Sequence, residues 1–284
     1  MKLIFVLILS GLFSVFTQTA AYSQTIAAPQ ELRVENFAYS GKSLDISNET
    51  HDPRATFWKP DGTLLFVVGR RSNNIAVYHC QEPWQLNTAT FLTQASIPGD
   101  NQHGLFFRND GLMMWVYDRT SVWHFQLLSP WDITTLSEGV RTDMSHFALR
   151  GHDIAFKPDG TILYIDDRNA GVVFQYTLSD PWDVTSGNVT YTLDLSQIQK
   201  EVRGVEFLRD GLTMMLMDTD RREVLQFELA QPWDISTATF AGAFDVSDQT
   251  LQGRGLSFSI DESIMYVTAQ DKQKIFQYEL TLQD

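Results

Sequence analysis

The chain has 284 residues and carries 35 Asp plus Glu against 21 Lys plus Arg, a formal charge of −14. With no basic run to displace phosphate counterions, that balance argues against nucleic acid as a partner. Apolar residues at 43% and charged residues at 20% describe a globular chain, not a disordered or collagen-like one, and the single Cys80 excludes a disulfide framework or a zinc site built on several thiolates.

Lys2 is followed by an apolar stretch from Leu3 to Phe16 and then by the small and polar run Thr17 to Ser23. A charged start, a short apolar core and a small-residue exit are the three regions of a secretory signal, which assigns residues 1–23 to a leader cleaved after Ala21 or Ser23. The run is shorter than the roughly 20 apolar residues of a permanent anchor. The mature protein is expected to be secreted or periplasmic, without a membrane span, and monomeric. Val34 to Ile46 comes next, with the pattern of an outermost strand that has no three strands before it.

Five related units follow, each carrying an aromatic residue, two variable positions, Asp, usually Gly, and a short apolar run. They read Trp58-Lys59-Pro60-Asp61-Gly62, Phe107-Arg108-Asn109-Asp110-Gly111, Phe156-Lys157-Pro158-Asp159-Gly160, Phe207-Leu208-Arg209-Asp210-Gly211 and Phe258-Ser259-Ile260-Asp261-Glu262, with the Asp positions 49, 49, 51 and 51 residues apart. A second marker runs in phase: Pro83-Trp84, Pro130-Trp131, Pro181-Trp182 and Pro232-Trp233. Each unit has four short apolar or alternating stretches and no helical periodicity; in the third these are Ile154 to Phe156, Ile162 to Ile165, Val172 to Leu178 and Val189 to Leu195. Asp-Gly marks a tight hairpin because Gly accepts positive φ, and Pro-Trp-Asp marks the turn after the third strand, with Trp filling the gap between neighbouring sheets. The last unit finishes with three strands, ending at Ile275 to Leu280. A repeat of this length with four strands predicts an all-β, five-bladed β-propeller over residues 24–284, closed by the amino-terminal strand completing the last blade.

The Phe-x-x-Asp-Gly turns and runs such as Leu163-Tyr164-Ile165 and Met265-Tyr266-Val267 resemble the repeats of bacterial secreted β-propellers of the YVTN-type, TolB-like and SMP-30/lactonase-like groups. The Pro-Trp-Asp element resembles propeller repeats of uncharacterised bacterial and phage proteins. The resemblance implies a propeller geometry in which the loops entering the innermost strands surround a central channel. In the lactonase-like group it implies channel carboxylates and an amide holding a divalent ion that polarises a lactone carbonyl.

Seven residues before each repeat Asp stand Arg54, His103, His152, Arg203 and Arg254, all basic in an acidic chain. These positions predict a cationic ring at the channel mouth, where the lactonase-like group has an acidic one. Eight residues after the repeat Asp stand Gly69, Asp118, Asp167, Asp218 and Ala269. Two like charges at about 9 Å repel by about 2 kcal/mol at an effective dielectric near 20, so Asp118, Asp167 and Asp218 are the expected neutralising network. Alternatively the ring holds a small anion, or His103, His152 and Asp153 hold a divalent metal with Asp52, Asp100 and His51 nearby; no other cofactor is expected. Asp153 interrupts a small-residue column of Ala55, Gly104, Gly204 and Gly255, which marks it for a role specific to its blade.

Weaker features complete the reading. Cys80 shares a column with Leu127, Leu178, Leu229 and Leu280 and reads as a buried, inert thiol. Gln175, Gln226 and Gln277 are expected to bond between strands, and Arg70, Arg71, Arg119, Arg168, Arg221 and Arg222 to stand beside the ring. His79 and His124 read as sheet residues, and His146 offers no constellation. No nucleophile elbow or phosphate-cradling Gly-rich loop is present. Two functions stay open. One is a secreted, non-catalytic module that binds an extracellular protein, a glycan or a small anion at the basic face. The other is a lactonase-like hydrolase or lyase using His103, His152 and Asp153.

Overall fold

Continuous apolar runs flanked by turn residues become the middle strands of sheets covered on both faces. In the computed structural model, which describes residues 32–99, 101–145, 150–198 and 201–281, Thr213–Asp218 and Ile264–Ala269 are buried at every position, whereas the outer strand Gly187–Asp194 is largely exposed. The expected leader, Asp100 and His146 lie outside the described residues.

Among the described residues, twenty strands form five four-stranded antiparallel sheets. The innermost strands are β2 (Pro53–Trp58), β6 (Gly104–Phe107), β10 (Ile154–Phe156), β14 (Val202–Leu208) and β18 (Gly253–Phe258). Each touches the next, and β18 returns to β2, so the sheets close as the blades of a five-bladed propeller. The first strand, β1 (Phe37–Asp45), pairs antiparallel with the last, β20 (Lys274–Leu280), and completes the fifth blade. That pairing covers the edge the fifth blade would otherwise leave open. Apolar layers fill the spaces between blades; one joins Leu163 and Ile165 to Trp115 and Tyr117 of the preceding blade, all at 0% exposure. Among the described residues no helix is long and apolar enough to cross a membrane.

The two sequence markers meet in space. Gly62, Gly111, Gly160 and Gly211 have φ of 73°, 70°, 75° and 87°, and a Cβ on Gly160 would lie 2.3 Å from the Trp182 indole. The hairpin glycine is therefore needed twice, for its left-handed backbone and for the ring seated on it. Trp84, Trp131, Trp182 and Trp233 are themselves left-handed, at φ 64–71°, a conformation that costs an L-residue roughly 1–2 kcal/mol. Their backbone N–H groups donate to the carbonyls of Gly62, Gly111, Gly160 and Gly211 at 2.9–3.0 Å. Their rings pack across blades, as Trp182 does against Trp115 with centroids 5.4 Å apart. The fifth unit has no following Trp, and there Glu262 takes the Gly position at φ 61°.

The glutamine column corrects an expectation. Gln175, Gln226 and Gln277 accept hydrogen bonds from the backbone N–H of Ile235, Val34 and Leu86 at 3.0, 2.6 and 3.0 Å. They tie one blade to the next rather than strand to strand.

Candidate functional site

The inner strands bring the basic column together. Arg54, His103, His152 and Arg203 are 4, 1, 5 and 3% exposed, and Arg254 is part-buried. The His103 and His152 rings meet edge to face with centroids 4.2 Å apart. Arg203 Nη1 lies 3.2 and 3.3 Å from the two ring nitrogens of His152. Arg54 Nη1 and Arg254 Nε both donate to Oε1 of Gln270, the first at 2.6 Å. Arg119 Nε donates to His103 Nε2 at 3.2 Å.

Two carboxylates outside the Asp118, Asp167 and Asp218 column pair with ring arginines. Asp52 pairs with Arg54 at 2.8 Å and with Arg70 at 2.6 Å, and Glu201 pairs with Arg203 at 2.6 Å and with Arg168 at 3.7 Å. Both carboxylates sit two residues before a ring arginine. Asp118 instead accepts from Trp123 Nε1 at 2.8 Å. Asp167 accepts from the N–H groups of Asn169 and Ala170, and Asp218 from those of Asp220 and Arg221. These aspartates shape the turns after their strands, because a tight turn offers unpaired N–H groups that a nearby carboxylate satisfies. Asp218 also lies 3.9 Å from Arg221.

Asp52 and Glu201 thus pair with Arg54, Arg70, Arg203 and Arg168, while Arg254 and Arg119 donate to Gln270 and His103. Arg71, Arg221 and Arg222 are exposed. Burial, then repulsion from Arg254, lowers Arg54 to about 9; burial, then repulsion from Arg203, lowers Arg254 to about 9. Both remain cationic at neutral pH. Burial holds the imidazoles well below their ordinary range, reinforced by Arg54 at His103 and by His103 and Arg203 at His152. They are neutral hydrogen-bonding groups, and His152 accepts from Arg203. Four buried ring nitrogens have no hydrogen-bond partner among the described residues: Arg54 Nε, His103 Nδ1, Arg203 Nε and Arg254 Nη1. A buried donor left unpaired costs about 1–3 kcal/mol. Beside the ring, a cavity of about 480 Å³ is lined by His51, Asp52, Arg70, Arg71, Gln270 and Gln273.

Asp153 does not turn toward the histidines. Its Oδ1 accepts from Ile154 N at 2.9 Å, and its Oδ2 from Val205 N on the next blade at 3.0 Å. Its small-residue column explains this position, since a Cβ on Gly104 would lie 2.8 Å from Ile154 N and one on Gly255 2.5 Å from Arg54 O. The column marks where neighbouring inner strands touch, and Asp153 staples one such contact. Burial raises its carboxyl to about 7. Asp166, not singled out from the sequence, is 0% exposed. It accepts from the N–H groups of His152 and Asp153 at 2.8 and 2.6 Å and fixes the loop that presents His152. Its column otherwise reads Val68, Tyr117, Met217 and Thr268, so a lone carboxylate there was the available signal. Among the described residues no group of three or more His, Cys, Asp or Glu is arranged to hold a metal ion.

His79 is exposed on its strand, His124 stacks on Trp115 at 5.6 Å, and Cys80 is buried with its thiol raised to about 11 by burial.

The sequence matches no family model and no curated protein. Solved structures similar to the chain include a functionally unknown protein from Desulfotomaculum acetoxidans, at 13% identity and TM-score 0.46 over 77% of this chain and 63% of that one. A putative 6-phosphogluconolactonase from Bacteroides uniformis matches at 12% identity and TM-score 0.45 over 77% of this chain and 64% of that one. A periplasmic gluconolactonase of Pseudomonas aeruginosa matches at 17% and 0.47, over 78% of this chain and 64% of that one. The chain thus spans less than two thirds of each of these structures.

Proposed function

We propose that this chain is a non-catalytic binding propeller, exported from the cytoplasm, that holds a small carboxylate or phosphate anion in the mouth of its channel. The observation that carries this reading is the set of four buried, unpartnered ring nitrogens on Arg54, His103, Arg203 and Arg254. Unpaired donors on neighbouring cationic arginines are satisfied by an anion, which would also offset the burial and the mutual repulsion that lower Arg54 and Arg254. Export is supported by the leader-like residues 1–23. The hydrolytic alternative needs His103, His152 and Asp153 to converge, and both Asp153 oxygens are engaged by backbone N–H groups.

Calorimetric titration of the mature chain with citrate and with inorganic phosphate tests the proposal. Saturable binding is expected, weakened roughly 10- to 100-fold by Arg254→Gln, because a hydrogen bond to a charged group contributes about 1.5–3 kcal/mol. Equal affinity in the variant, no binding of either anion, or turnover of lactones by the wild type would contradict it.

A further inference from the structure

The inner strands carry a second column, three residues after the basic one: Phe57, Phe106, Ala155, Glu206 and Ser257. All five line a cavity of about 300 Å³ at the other end of these strands, where the Asp-Gly turns form its rim. Three carboxylates reach it, Glu206 from the column and Asp210 and Glu262 from the turns, while no Lys, Arg or His lines it. The nearest cations are committed elsewhere. Lys59, Arg108 and Lys157 each pair with the Asp of their own turn at 2.7 Å, and Arg209 pairs with Glu228 at 3.1 Å.

Glu206 stands apart even within this acidic mouth. Glu262 accepts from Arg209 N at 2.5 Å, and the hydroxyls of Thr56 and Ser257 bond each other at 2.9 Å. The Glu206 side chain has no hydrogen bond or ion pair to any described residue, and it stands half-buried in the cavity wall. Burial, with Asp153 behind it, drives its carboxyl well above the usual carboxylate range. The rest of the lining is mostly apolar and aromatic, including Trp58, Phe156, Phe207 and Trp233. Hard metal ions take six or more oxygen ligands, which three carboxylates spread over a mostly aromatic lining, one of them already accepting from Arg209 N, do not supply. A cation bearing alkyl groups suits both parts of the lining, because aromatic walls attract positive charge and bury methyl or methylene surface.

We propose that this cavity binds a small alkylammonium cation, with Glu206 as its counter-ion and the aromatic walls around its alkyl groups. The volume sits at the small end of ligand sites, which favours a free amine of choline size over a macromolecular segment. The site is independent of the anion ring at the opposite end of the strands.

Choline is the probe, titrated at mildly alkaline pH and followed by calorimetry and by the fluorescence of Trp58, Trp84 and Trp233, which line the cavity. Its neutral isostere, with carbon in place of the ammonium nitrogen, is titrated in parallel. Choline is expected to bind at least about tenfold more tightly than the isostere. Glu206→Gln is expected to abolish that preference while keeping cooperative thermal unfolding and the citrate affinity of the wild type. Equal binding of choline and isostere by the wild type, or no saturable binding of choline, would overturn the proposal whatever the variant does. A preference retained in a folded E206Q protein would overturn it as well.

Discussion

Arg54 and Arg203 each have a carboxylate within 2.8 Å, whereas the hydrogen bonds of Arg254 go to the amide oxygens of Gln270 and Gln252. Arg254→Gln should therefore weaken anion binding and, without anion, leave the melting temperature unchanged or slightly raised, because it removes repulsion on Arg54 and breaks no ion pair. Thermal unfolding in low-salt buffer without multivalent anions checks this. Asp153 gives a pH test. Its folded-state pKa, about 7, lies above the ordinary value of 3.8, so its contribution is fully present below pH 4 and is lost as pH rises toward 7. Asp153→Asn removes this titration, and denaturant unfolding across that interval should show a smaller loss of stability with rising pH than in the wild type. The basic column was legible because repeats place equivalent residues at equivalent depths. Its partners were not, since Asp52, Glu201 and Gln270 belong to loops whose paths the repeat does not dictate. The Asp118, Asp167 and Asp218 column was visible, but spacing alone does not show that its oxygens accept from the Trp123 indole and from turn N–H groups.

At the level of elements, the Asp-Gly hairpin and the Pro-Trp turn form one device. Both were readable as separate signals at one period; their contact was not, because it joins residues about 20 positions apart through a left-handed Trp. Gly160→Ala should destabilise by about 2 kcal/mol or more, from positive φ and from the clash with Trp182. Trp182→Ala should also destabilise, through lost aromatic packing. The double variant should cost clearly less than the sum, since the clash disappears with the indole. Additive costs in urea unfolding would mean that the contact carries no energy. The glutamine column was equally plain in sequence, but its bonds cross between blades, and spacing within one blade cannot reveal the neighbour's N–H groups.

At the scale of the whole molecule, the fold was readable from composition, period and the placement of one strand before the first unit and three in the last. β1 pairs with β20, so a chain starting after Asp45 leaves an open edge in the fifth blade. Such a chain should lose the single cooperative unfolding transition and self-associate, as size-exclusion chromatography and calorimetry would show; a monomer with wild-type stability would contradict closure by this strand. Ring closure also gives the channel two chemically opposed ends, arginines where the inner strands begin and carboxylates where they finish. The measurement that bears most directly on the anion site is a crystal structure of the mature chain grown with citrate. The account predicts density for the anion at the channel mouth, with carboxylate oxygens about 2.7–3.2 Å from Arg54 Nε, Arg203 Nε and Arg254 Nη1. A mouth holding only water, with those arginines turned onto Asp118 or Asp218, would contradict it.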